Sequence, residues 1–135
     1  MSYSKISNKI IIDTNILFMA WYNPSGKCAY ILRKANQGKI NIFSPDSVKK
    51  EIFTVLKREA DLNEEEIHDF LFDFDIHWIK KDFYKKFIHK VSVNHEPDKP
   101  VEAAAIGLNC GILSADKHFK DKINIDKLIG WLKKQ

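Results

Sequence analysis

The sequence predicts an α/β fold, a three-layer α/β/α sandwich around a mostly parallel central sheet of about five strands. Three observations point there. The run Lys9-Ile10-Ile11-Ile12 stops abruptly at Asp13, and an uninterrupted β-branched run reads as a strand buried on both faces, as in parallel sheets covered by helices. Short apolar runs alternate with stretches of helical spacing along the chain, the pattern of successive βα units. The length of 135 residues fits one domain, 1–135, with one core.

After the first strand comes Ile16 to Trp21, too apolar for a surface loop, with Thr14 or Asn15 available to cap a helix. Asn23-Pro24-Ser25-Gly26 interrupts it, and a second helix from about Lys27 to Gln37 carries Ala29, Ile31, Leu32 and Ala35, closed by Gly38. Lys39 to Phe43 is the second strand. Ser44 and Pro45 open a third helix as cap and first-turn proline, with Val48, Ile52, Val55 and Leu56 as its buried stripe. Glu51 lies at the margin of that stripe. Asn63 and Glu66 have capping-box spacing for a fourth helix, whose inward face is Ile67, Phe70, Leu71 and Phe74. Asp75 to Ile79 is a third strand. Phe83, Tyr84, Phe87, Ile88 and Val91 form another helix.

A turn at His95-Glu96-Pro97-Asp98-Lys99-Pro100 feeds a helix start near Asp98, since proline is tolerated only in a first turn. Gly111 to Ala115 is a fourth strand ending at Asp116, Ile123 to Asp126 a short fifth, and Lys127 to Gln135 a terminal helix. The first and fourth strands are the most apolar and are expected side by side at the sheet centre. Asp13 and Asp116 then become neighbours at one edge, where ligands bind in such sheets.

Composition narrows the function classes. Hydrophobic residues at 44% are enough for a globular core and too many for a disordered chain. No apolar run is long enough to span a bilayer, and Met1-Ser2-Tyr3-Ser4-Lys5 shows no signal peptide, so a cytoplasmic protein without membrane association is expected. Cys28 and Cys110 lack metal-ligand spacing and read as reduced thiols. A net charge of +4 and a pI of about 9.0 lean mildly toward polyanionic partners.

Four acids converge on the predicted edge: Asp13, Glu51, Asp98 and Asp116. Each has an ordinary reading alone, as turn residue, solvated helix residue, N-cap or strand-end aspartate, and only their joint placement makes them a set. Glu96 and Glu102 flank Asp98 and are alternatives to it. Packed carboxylates raise each other's pKa, and a divalent cation relieves the conflict. With oxygen donors and no His or Cys at fitting spacing, Mg²⁺ or Mn²⁺ is expected over zinc. Such an ion serves phosphodiester hydrolysis. Thr14, Asn15 and Ser114 are placed to orient a carboxylate or a water.

These pieces together resemble a known family. Ile11-Ile12-Asp13-Thr14-Asn15, Ser44-Pro45 followed by Glu51, Asp98-Lys99-Pro100 before an alanine-rich helix, and Ile112-Leu113-Ser114-Ala115-Asp116-Lys117-His118-Phe119 are similar to the motifs of PIN-domain nucleases. The likeness is in particular to the VapC-type ribonuclease toxins of type II toxin–antitoxin systems and their uncharacterised relatives. It runs from Ile10 to about Trp131. It implies an α/β/α sandwich, Mg²⁺ or Mn²⁺, endonucleolytic cleavage of RNA and pairing with an antitoxin. The four family acids map to Asp13, Glu51, Asp98 and Asp116. Around the third acid many members have a further aspartate, where this chain has Glu96 and Lys99. Phe119 is expected to pack, and His118 to cap or hydrogen-bond.

Lys99 and Lys117 sit beside proposed ligands and rank first as contacts to an RNA backbone. The many aromatics, among them Trp21, Tyr22 and Phe72, exceed what a small core hides, and an exposed share would form a homodimer face or an antitoxin groove. The competing readings are a non-catalytic RNA- or protein-binding module on the same fold and an RNA-processing nuclease without an antitoxin. A phosphatase ranks lower, because Asp13-Thr14-Asn15 lacks the second aspartate of an Asp-x-Asp enzyme.

Overall fold

In a computed structural model, which describes residues 6–119 and 121–135, the isoleucine run forms β1 (Lys9–Ile12). Ile10, Ile11 and Ile12 are completely buried. The helical pair α1 (Thr14–Tyr22) and α2 (Lys27–Asn36) follows, then β2 (Asn41–Pro45), α3 (Asp46–Ala60), α4 (Glu64–Phe72) and β3 (Ile76–Ile79). A short α5 (Lys81–Tyr84) runs into a 3₁₀ segment (Lys85–Lys90). After it come a single 3₁₀ turn (Glu96–Asp98), α6 (Lys99–Leu108), β4 (Gly111–Leu113) and α7 (Ile125–Leu132). The Met1 to Lys5 stretch, expected to hold no signal peptide, lies outside the described residues. No described helix is long and apolar enough to cross a membrane.

The sheet has four strands in the order β3-β2-β1-β4, all parallel. Moving stepwise from β1 to β2 to β3 with right-handed crossovers puts α1 to α4 on one face. The return from β3 to β4 puts α5 and α6 on the other. Contacts of α1 with α2 and α3, and of α6 with β1, β2 and the 3₁₀ segment, agree with this α/β/α layering. In the β1/β4 ladder Ile12 pairs with Leu113. The next residues, Asp13 and Ser114, therefore leave the sheet together at its C-terminal edge.

Four expectations are corrected. The sheet has four strands, because Ile123 to Asp126 is not a fifth. Ile123 makes one backbone bond to the Ile112 carbonyl, and Asn124 then caps α7 by accepting from the Lys127 N–H. β1 and β4 are adjacent as expected, but β4 lies at the sheet's end and β1 beside β2. Ser44 does not cap α3. It lies within β2 with its hydroxyl turned inward, donating to the Ile12 carbonyl at 2.7 Å, and Pro45 takes the cap position. The segment with Phe83 and Phe87 tightens into 3₁₀ turns after Tyr84 and does not continue as one helix. By contrast, the Asn63/Glu66 capping box forms in full.

Gly107 explains how the second helical layer closes. A Cβ there would lie 2.6 Å from Phe87 Cε2 and 2.7 Å from Phe83 Cε2, inside van der Waals contact. Gly107→Ala is thus expected to destabilise the fold by about 1–3 kcal/mol through overpacking. At an ordinary helix position the same change would be mildly stabilising. Urea denaturation would show a lower midpoint with an unchanged m-value.

Candidate functional site

Asp13 is buried at the end of β1. Its Oδ1 accepts the Ile16 backbone N–H at 3.3 Å, capping α1. Its Oδ2 accepts from the Ser114 hydroxyl. Ser114 in turn accepts the Asp116 N–H at 2.8 Å, so adjacency of β1 and β4 ties the first and fourth acids through one serine. Asp116 Oδ1 accepts the His118 N–H at 2.8 Å. The His118 ring continues the chain, with Nδ1 2.9 Å from Asp116 Oδ1 and 2.7 Å from Asp98 Oδ2. Asp98 is buried at the start of α6. The sequence motifs thus bring Asp13, Asp98 and Asp116 into one connected cluster.

Glu51 reaches the cluster only at second hand. It is exposed on α3 and accepts a hydrogen bond from the Thr14 hydroxyl, one residue beyond Asp13. Thr14 and Ser114 both act as hydrogen-bonding supports. Asn15 is exposed, and its side chain has no hydrogen-bond partner among the described residues. Neither alternative to Asp98 faces the cluster. Glu96 pairs with Lys99 at the surface, and Glu102 accepts the backbone N–H groups of Ser92 and Val93 at 2.9 and 3.0 Å. Lys99 is therefore engaged by Glu96, while Lys117 is exposed. A further acid at this edge, Asp46, accepts from the Tyr84 hydroxyl at 2.8 Å.

The sequence shows no histidine at ligand spacing, and the structure corrects that expectation. His95 Nδ1 lies 3.2 Å from Asp98 Oδ2, opposite His118. Among the described residues, the one group of three donors all within 4.8 Å of each other is His95, Asp98 and His118. Asp13, Glu51 and Asp116 lie outside that group. A histidine three residues before a carboxylate, one turn away, was the available signal for His95. The pairing with His118 is purely tertiary.

Burial pushes the Asp13 carboxyl up to about 6 from 3.8. The Ser114 and Ile16 hydrogen bonds oppose the shift, and the nearby Asp116 and Asp98 charges add to it. A buried acid with two others nearby is short of positive charge, the condition a divalent cation would relieve. The same shift sets a pH dependence for the metal-free protein. Asp13 binds its proton more tightly folded than unfolded, so this contribution is fully present below pH 3.8 and is lost as pH rises through about 6. Metal-free protein should lose on the order of 3 kcal/mol from this group across that window. Denaturation midpoints of Asp13→Asn, subtracted from the parent's at each pH, would isolate it. Cys28 and Cys110 are both free thiols, and burial pushes Cys110 up to about 11, which keeps it unreactive.

No protein-family model and no curated protein matches the chain. Among solved structures, the crystal structure of VapBC2 from Rickettsia felis bound to a DNA fragment from their promoter is similar to it. The TM-score is 0.61 at 15% identity, over 85% of this chain and 96% of that one. At this identity the likeness speaks for the fold, which is PIN-like in its layers and parallel sheet.

Proposed function

We propose that the protein is a Mg²⁺- or Mn²⁺-dependent endoribonuclease that hydrolyses RNA phosphodiesters, and the toxin of a type II toxin–antitoxin pair. The observation that carries this reading is the linkage of Asp13, Asp98 and Asp116 through Ser114 and His118 at the C-terminal edge of a parallel sheet. A bound divalent ion would supply activation of the attacking water and stabilisation of the leaving oxygen. Asp13, Asp98 and Asp116 would hold it, with Glu51 reaching in beside Thr14. Ser114 fixes the Asp13 carboxylate against rotation, and the α1 N-terminus holds the other oxygen. Lys117, which is exposed, would meet an RNA phosphate, and Lys99 would do so on release from Glu96. The net charge of +4 favours that encounter.

The toxin assignment draws on the fold likeness to a VapBC2 structure. It also draws on apolar side chains left outside, namely Met19, Tyr22 and Phe72. Met19 and Tyr22 lie on α1, where Phe18 stacks on Tyr22, and offer an antitoxin or a second copy an aromatic surface. A cytoplasmic location goes with this role.

Incubation of the purified protein with structured RNA and Mn²⁺ or Mg²⁺ should yield internal cuts that a chelator abolishes and added metal restores. RNA binding without metal-dependent cutting across a broad substrate panel would make it a binding module instead. A small gene just upstream, encoding a DNA-binding protein, would separate a toxin from an RNA-processing enzyme.

A further inference from the structure

We infer that His95 and His118, with Asp98, form a mixed nitrogen and oxygen ligand set that takes a first-row transition cation in preference to Mg²⁺. This refines the metal reading above and rests on it for the site's use, but not for binding itself.

The spacing of these donors suits a shared ligand set. Two imidazole Nδ1 atoms approach the same carboxylate oxygen, Asp98 Oδ2, at 2.7 and 3.2 Å. Metal–ligand bonds of about 2.0–2.2 Å place neighbouring donors roughly 3 Å apart in an octahedron and slightly more in a tetrahedron. The two rings lie side by side, 4.5 Å between centroids, an arrangement in which one cation can lie between their Nδ1 atoms. Asp116 Oδ1, 2.9 Å from His118 Nδ1, borders the set without joining it.

Each donor is held by its own local structure. Asp98 is buried at the head of α6. His95 follows the Ser92–Val93 backbone that Glu102 fixes. His118 is anchored by its N–H to Asp116. Both histidine side chains are about half exposed, 50% and 47%, so an ion can enter. Imidazole suits iron, nickel, copper and zinc, with affinity rising from Mn²⁺ to Cu²⁺ and falling back at Zn²⁺, whereas Mg²⁺ prefers oxygen donors and retains its water. Between the two ions named above, the set favours Mn²⁺.

The test uses the whole protein and needs no RNA. Co²⁺ titration followed by visible absorption should give one equivalent of an imidazole-ligated spectrum. Calorimetry should show Zn²⁺ binding at least about tenfold tighter than Mg²⁺. His95→Gln and His118→Gln should each weaken Co²⁺ and Zn²⁺ at least about tenfold, with circular dichroism unchanged. Unchanged Co²⁺ affinity and spectrum in a folded His95→Gln/His118→Gln double variant would overturn the inference, as would Mg²⁺ binding as tightly as Zn²⁺. Histidine-dependent cobalt binding in a protein that cuts no RNA would leave the inference standing and sink the nuclease. Magnesium-driven cutting with no histidine dependence of metal binding would do the reverse.

Discussion

Asp13→Asn should abolish metal-dependent RNA cleavage and, in the same molecule, raise the melting temperature of the metal-free protein. The two effects share one cause. Asp13 is 5% exposed and its carboxyl is pushed up to about 6, so at neutral pH the fold holds a charge it would shed if it could. Asparagine removes the charge and keeps the shape. Its carbonyl oxygen can still accept from the Ile16 N–H, and its amide can donate to Ser114. The gain is on the order of 3 kcal/mol, or roughly 10 °C for a chain of this size.

Catalysis should move the other way. Losing a group that merely orients a ligand costs about 10–100-fold, so losing the ligand should cost at least about 100-fold. Cleavage assays and differential scanning calorimetry on one preparation would read both. A variant that cuts as well as the parent would remove Asp13 from the mechanism. A variant that is inactive but less stable would mean that the carboxylate holds the fold together and does not strain it.

Ile11→Ala should produce the largest loss of stability, about 2–5 kcal/mol out of a total that for such proteins is about 5–15 kcal/mol. Ile11 is completely buried and sits between Phe43 on β2 and Ile112 on β4. No neighbouring strand can close the space, since both are fixed by ladder hydrogen bonds. Phe72→Ala removes a larger side chain but should change stability by no more than about 0.5 kcal/mol, because Phe72 is 91% exposed. Guanidinium unfolding of the pair would compare them. Equal losses would mean that β1 is not the centre of the core.

The contrast between those two residues shows what can be read from a sequence. Ile10 to Ile12 announced a two-face-buried strand because no polar residue interrupts the run. Phe72 falls out of phase with Phe70 and Phe74 on its helix, although core packing is the default expectation for such an aromatic, and it is exposed. The Asn63 capping box was legible because its chemistry is local. Ser44 departs from its expected role for the opposite reason. A serine before a proline has the look of a cap, and only the tertiary position of the Ile12 carbonyl turns its hydroxyl inward. The false fifth strand came from Ile123 and Ile125, whose intervening Asn124 is a helix cap and not a strand residue.

At the candidate site, the adjacency of Asp13 and Asp116 was legible because it follows from strand order. The approach of His95 to His118 was not, because it depends on how two loops fold over the head of α6, and no periodicity encodes that. Glu51 was placed on the correct helix. Whether it lies against Asp13 or accepts from Thr14 is a matter of a few ångströms, below what spacing can resolve.

The grip of Glu102 on Ser92 and Val93 has a consequence for recognition kinetics. A loop that must be frozen when its ligand arrives slows capture and weakens it, since each immobilised residue resists with its own entropy. Here the stretch leading to His95 is tethered to α6, the helix that also presents Asp98. With this tether in place, part of that ordering is already complete when the chain has folded.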